Sequence, residues 1–151
     1  MSYLLTIHLL AVLVWVGGMF FAHFVLRPSA EFLSLPERIN LWFQVLGRFM
    51  KLVWVAVLVL PLSGYLLVFR YYGGMAGLGF HIHLMQGIGL LMIGLFFYIF
   101  FGPYKQFKIR VKEELFPEAG MFMLKIRRIV GINLFLGIVT SIVAVAGRYF
   151  V

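Results

Sequence analysis

Cysteine is absent from the 151 residues, which excludes disulfides, thiolate metal sites and iron–sulfur clusters and leaves the redox compartment undetermined. Any metal bound here must take His, Met or oxygen ligands. Charge is scarce as well: 12% of residues are charged against 64% hydrophobic, a balance that no soluble domain of this length could hide in one core. Lys and Arg are missing from the first 26 residues. The opening stretch therefore lacks the basic leader of a signal peptide, and its apolar run is too long for one, so it is expected to remain as a helix. No nucleophile–base pair, no paired carboxylates and no phosphate-binding loop stand out, which leaves hydrolytic and phosphoryl-transfer chemistry without carriers.

What is present is a membrane protein. The expected fold class is all-α, an integral four-helix bundle forming one domain over residues 1–151. Each span takes about 20 residues of an uncharged run, which places them at 3–26, 52–69, 80–101 and 129–147. Pro28 is expected to close the first. Ser34-Leu-Pro36-Glu37 reads as a capping box that starts a helix near Leu35, giving an amphipathic segment over 35–51 ahead of span 2, which Pro61 should kink. Tyr71 to Gly79 is a glycine-rich turn, and Gly102-Pro103 marks a break after span 3. Tyr104, Phe107, Val111 and Leu115 then recur at helical spacing opposite Lys105, Lys108 and Lys112. That pattern predicts an amphipathic helix lying on the headgroup surface, within a segment over 103–128 that turns again at Phe116-Pro-Glu-Ala-Gly120.

The net charge of +8 follows topology rather than nucleic acid. The connections between spans 1 and 2 and between spans 3 and 4 carry Arg27, Arg38, Arg48, Lys51, Lys105, Lys108, Arg110, Lys112, Lys125, Arg127 and Arg128, while the other side has only Arg70 and Arg148. The positive-inside rule makes those connections cytoplasmic and puts both termini in the periplasm. Tyr3, Tyr71, Tyr72 and Tyr149 then form an outer aromatic belt. Membrane lipid is the one partner this composition requires, no nucleic-acid partner is expected, and the oligomeric state stays open, a homodimer included.

The polar groups inside the spans are the candidate site, because ionisable residues in lipid are uncommon and by default functional. Adjacent Gly17 and Gly18 each cost a helix roughly 1 kcal/mol relative to Ala, which implies a close neighbour at mid-depth. His8, about five residues inside span 1, shares its leaflet with His81 and His83 at the start of span 3. His81 and Met85 lie on one helical face, whereas His83 lies about 200° round from His81 and shares its face with Gly87. His23 stands alone at the other end and reads as structural. Gly137 and Ser141 read as helix packing, and Asn133 and Gln86 must either bridge helices or orient a histidine. Two chemistries fit: copper(I) held by His8, His81 or His83 with Met85 or Met75, or a b-type haem with axial imidazoles from His8 and His83 beside Gly17, Gly18 and Gly87. The residues do not choose between them.

His8-Leu-Leu-Ala, Trp15-Val-Gly-Gly-Met-Phe-Phe, Leu26-Arg27-Pro28, Ser63-Gly64-Tyr65, His81-Ile-His83-Leu-Met85, and Ile126-Arg-Arg128-Ile-Val with Asn133-Leu together resemble the small members of the copper resistance protein D (CopD-like) family over nearly the whole chain. The resemblance implies a multi-pass protein of the bacterial inner membrane that binds, transports or tolerates copper, working with a periplasmic copper protein. It carries the candidate metal role onto His8, His81, His83 and Met85. The layout of span 1 is more distantly similar to the HemJ-type protoporphyrinogen oxidases, which bind haem b and would imply membrane electron transfer with quinone. That family carries a lysine shortly after its span 3 histidine; here Met85 or His83 stands in that place and span 3 has no lysine.

Overall fold

The computed structural model describes residues 2–149 and shows helices joined by short turns; the side chain of Arg148, counted above among the basic residues, lies outside what is described. The elements are α1 (Ser2–Phe21), a π-helical turn (Ala22–Leu26), α2 (Arg27–Ser29), α3 (Leu35–Tyr71), α4 (Phe80–Phe101), α5 (Pro103–Lys112), α6 (Phe116–Ala146) and a closing 3-10 turn (Gly147–Tyr149). Four segments are long and apolar enough to cross a membrane: Tyr3–Ser29, Leu35–Tyr71, Phe80–Lys112 and Phe116–Ala146. The all-α, four-span reading of the sequence therefore holds.

Local chemistry explains most boundaries. The backbone N–H and hydroxyl of Ser34 both donate to Glu37 Oε2, at 3.0 and 2.7 Å, and start α3. Gly73, Gly74 and Gly77 take φ of 72°, 116° and 88°, which only glycine adopts without strain, and so reverse the chain between α3 and α4. The first span ends differently from expectation. Pro28 does not stop it; the helix widens into a π turn, with the Arg27 N–H donating to Ala22 O, and then continues through Pro28 for one more turn. A proline at 28 has no N–H for the Phe24 carbonyl and its ring crowds that group in a regular helix, so the wider turn relieves both.

The apolar face of α5 is spent on protein: Phe107 is fully buried, with Tyr104, Val111 and Pro103 buried beside it, and α5 packs on α6. One further expectation is corrected. The turn before α6 falls at Glu113–Leu115, where Glu114 has φ 58°, rather than at Phe116–Gly120. Phe116-Pro117 is the first turn of α6, where a proline lacks only an N–H that would be unbonded anyway. At 31 residues α6 is about 46 Å long and α3, at 37, about 55 Å. Both outrun a hydrocarbon core of about 30 Å, and their first turns pair beyond it, with Ile39 against Gly120.

The core is one continuous cluster built on Trp15 and Met19 of α1, Trp42 to Val57 of α3, Met92 to Ile99 of α4 and Met123 to Leu134 of α6. α1 packs chiefly on α3 and α4 chiefly on α6, while α6 also touches α1 and α3. Trp54 of α3 reaches the aromatic ridge of α4, meeting Phe96 and Phe100 edge-on with ring centroids 5.4 and 5.2 Å away. Where α6 crosses α1, Gly137 admits Val16. Asn133, buried in α6, donates its amide to the Met92 carbonyl of α4 at 3.3 Å, so it bridges two helices.

Candidate functional site

The half-buried His8 faces α3, and its Nδ1 lies 2.8 Å from the hydroxyl oxygen of buried Ser63. The hydroxyl has a single proton. That proton is directed at the backbone carbonyls one turn back, Val59 O at 2.6 Å and Leu60 O at 3.2 Å. With that proton used there, Ser63 Oγ can accept from Nδ1–H, the tautomer that leaves the lone pair on Nε2. A side-chain oxygen that fixes the tautomer of an imidazole in this way is the usual support of a histidine metal ligand. Gly64 lies beneath the ring: a Cβ there would stand 3.4 Å from His8 Cε1, in ordinary van der Waals contact, so a methyl fits and a larger side chain would meet the imidazole.

His81 occupies the first turn of α4 and packs against the end of α6. A Cβ on Gly147 would come within 2.5 Å of His81 Cβ. The ring's Nδ1 is buried and has no hydrogen-bond partner. His83 is exposed, Met85 half-buried, and Gln86 Nε2 donates to Met75 Sδ at 3.9 Å across the glycine-rich turn. His8, His81 and His83 thus occupy the same end of the bundle but three different settings: against α3, against α6 and outward. Among the described residues no group of three or more His, Asp or Glu could hold a metal ion together.

The glycines divide in the same way. Gly18 is pressed by the Phe49 ring, whereas a Cβ at Gly17 or at Gly87 would meet nothing within 4 Å. Only one member of the Gly17–Gly18 pair therefore has the close neighbour its sequence implied, because helical rotation turns the other away from α3. Gly17 and Gly87 both face open space and are exposed. His23 lies on the π turn beside Gly131, whose Cβ would sit 3.6 Å from its Cε1.

Ser63, the partner of His8, was not among the candidate site residues legible in the sequence. Its signal was a hydroxyl next to a glycine in an otherwise apolar run, but nothing in the periodicity says which neighbouring helix that hydroxyl faces. The residues suit copper(I) in one respect: neutral imidazole nitrogens and thioethers, without thiolates, are ligands this ion accepts.

Comparison with curated proteins and with solved structures returned no match. The profile of one family, copper resistance protein D, matches residues 43–146, a stretch that holds Ser63, His81, His83, Met85 and all of α4 and α5. With four spans and a match over more than half its length, this multi-pass membrane protein belongs to the copper resistance protein D family.

Proposed function

We propose that this protein moves or buffers copper(I) in the bacterial inner membrane, taking the ion up at its periplasmic end through single imidazoles rather than through one preformed chelate. The observation that carries the proposal is the His8–Ser63 pair, an imidazole within span 1 whose Nδ1 lies 2.8 Å from a hydroxyl already turned to the carbonyls of its own helix; Nδ1–H donating to Ser63 is the arrangement that would leave Nε2 for the ion. His83 and Met75, exposed at the same end, are the groups that first meet the ion. His81 and Met85, four apart on one face of α4, follow, and His8 is the deepest nitrogen. A chain of weak, separate ligands suits passage, because an ion gripped by three or four donors at once leaves slowly. The basic end, with Arg27, Arg38 and Arg127, faces the cytoplasm on the positive-inside rule. We favour copper over haem because the family is one of copper resistance and because His83, an axial ligand in the haem reading, is exposed.

The test is copper(I) retention by purified protein in competition with a chromophoric chelator. His8→Ala is expected to lower apparent affinity by about tenfold or more, and Ser63→Ala by roughly tenfold through loss of the tautomer support. Retention unchanged in both variants would overturn the proposal, as would a Soret band in the purified protein.

A further inference from the structure

At the end of the bundle opposite His8 the four spans enclose a cavity of about 50 Å³, room for several water-sized groups. Two buried N–H donors without a hydrogen-bond partner belong to its walls, Trp42 Nε1 and Arg127 Nε; a third orphan, Asn133 Oδ1, is an acceptor that calls for a water and not for an anion. Trp42 is 5% exposed and Asn133 2%, so bulk solvent satisfies neither, and leaving such groups unpaired is expensive. Arg27 lines the same cavity, and no carboxylate does. The charges acting on Arg127 are Arg27 and Arg38, with Glu31 the one acid opposing them. The ion pairs among the described residues, Arg110 with Glu113 and with Glu118, involve none of these arginines. Beyond the guanidiniums the wall turns apolar, through Met19, Trp15 and Phe96.

Three thioethers, from Met19, Met50 and Met123, also line this space and by themselves suit a soft cation. Two guanidiniums with no carboxylate in the cavity wall decide against it, because a cation there meets like charge that Glu31 only partly offsets. Water would satisfy Trp42 and Asn133 but would leave two positive charges, Arg27 and Arg127, against Glu31 alone.

We propose that the cavity receives the phosphate group of an anionic phospholipid, bound by Arg27, Arg127 and the Trp42 indole N–H, with the adjoining glycerol and acyl carbons against the apolar wall. A phosphate brings the missing negative charge and several acceptor oxygens at once, and it matches the guanidinium fork in geometry. Lipid rather than free phosphate is the source because the pocket lies between membrane-spanning helices and continues from cationic to apolar; basic pockets of this kind between spans take acidic headgroups. The π turn that interrupts span 1 holds His23 on the same wall.

Native mass spectrometry of the protein, reconstituted with equal phosphatidylglycerol and phosphatidylcholine and then released into mild detergent, reads the retained lipid. One phosphatidylglycerol per chain is expected, favoured roughly tenfold over phosphatidylcholine. Arg27→Gln combined with Arg127→Gln is expected to erase that preference, and Lys105→Gln, on an exposed face, to leave it intact. Arg127→Lys keeps the charge and controls for folding. Equal retention of the two lipids by the unmodified protein overturns the proposal without any variant. So does displacement of bound lipid by excess inorganic phosphate, or silver(I) binding that Met50→Leu abolishes. The site lies far from His8, so neither outcome bears on copper retention.

Discussion

Gly137 and Gly17 offer a signed test of which glycines hold the bundle together. A Cβ built on Gly137 falls 2.8 and 3.2 Å from the two methyls of Val16 and 3.3 Å from the Met92 methyl. Carbon atoms prefer separations of about 3.5–4.0 Å, so the closest contact is short by about 1 Å. Met92 ends in a flexible thioether and can yield. Val16 cannot: a β-branched side chain in a helix has one strongly favoured χ1, so relief requires α1 and α6 to separate. Overpacking of this kind costs about 1–3 kcal/mol, and the helix-propensity gain of Ala over Gly returns roughly 1 kcal/mol of it. Gly137→Ala should therefore destabilise by up to about 2 kcal/mol. Gly17→Ala meets nothing and keeps the propensity gain, so it should stabilise by up to about 1 kcal/mol. Reversible unfolding in mixed micelles by added denaturing detergent measures both. Val16→Ala should rescue Gly137→Ala in a double-mutant cycle, with a coupling of about 1 kcal/mol or more. A Gly137→Ala protein at least as stable as the parent, or a clash that Val16→Ala does not relieve, would refute the reasoning.

Other outcomes follow from the same contacts. Phe107→Ala should cost about 3–5 kcal/mol and release α5 from α6, read as a new protease cut between Gly102 and Leu115, because Phe107 is fully buried in protein; a helix that merely rested on lipid headgroups would lose surface affinity and little stability. Asn133→Ala should loosen α4 from α6 by about 1 kcal/mol, through loss of the bond to the Met92 carbonyl, seen as faster hydrogen exchange around Met92. Gly64→Leu should displace the His8 ring it underlies and weaken copper(I) retention as much as His8→Ala does, whereas Gly87→Ala, facing open space, should leave retention unchanged.

The sequence determined the elements of this protein. Uncharged runs of span length, a capping box at Ser34–Glu37, glycines clustered after Tyr72 and a Gly-Pro pair at 102–103 each act through the backbone or through lipid solvation. Those forces are local, and the helices begin at Leu35, Phe80 and Pro103 as the residues indicate, while the end of span 1 at Pro28 and the turn before α6 depart from them. The family was legible for the same reason, since its motifs are strung along the chain.

What the sequence left open is which neighbour each helical face meets. His8, His81 and His83 were known to share one end, yet a period of 3.6 residues gives a face and not its partner. Only the pairing of α1 with α3, and of α4 with α6, sends His8 to Ser63 and His81 to Gly147. Gly17 and Gly18 are adjacent, alike in propensity and indistinguishable in sequence, and tertiary packing alone turned one to Phe49 and the other away. The apolar stripe of α5 was plain as well, but a stripe fits lipid and protein equally, and α6 reached it first. Between helices in a membrane the hydrophobic effect expresses no preference, because lipid is as apolar as any side chain. Shape, small residues and a few hydrogen bonds decide the arrangement, and those exist only once the helices have met.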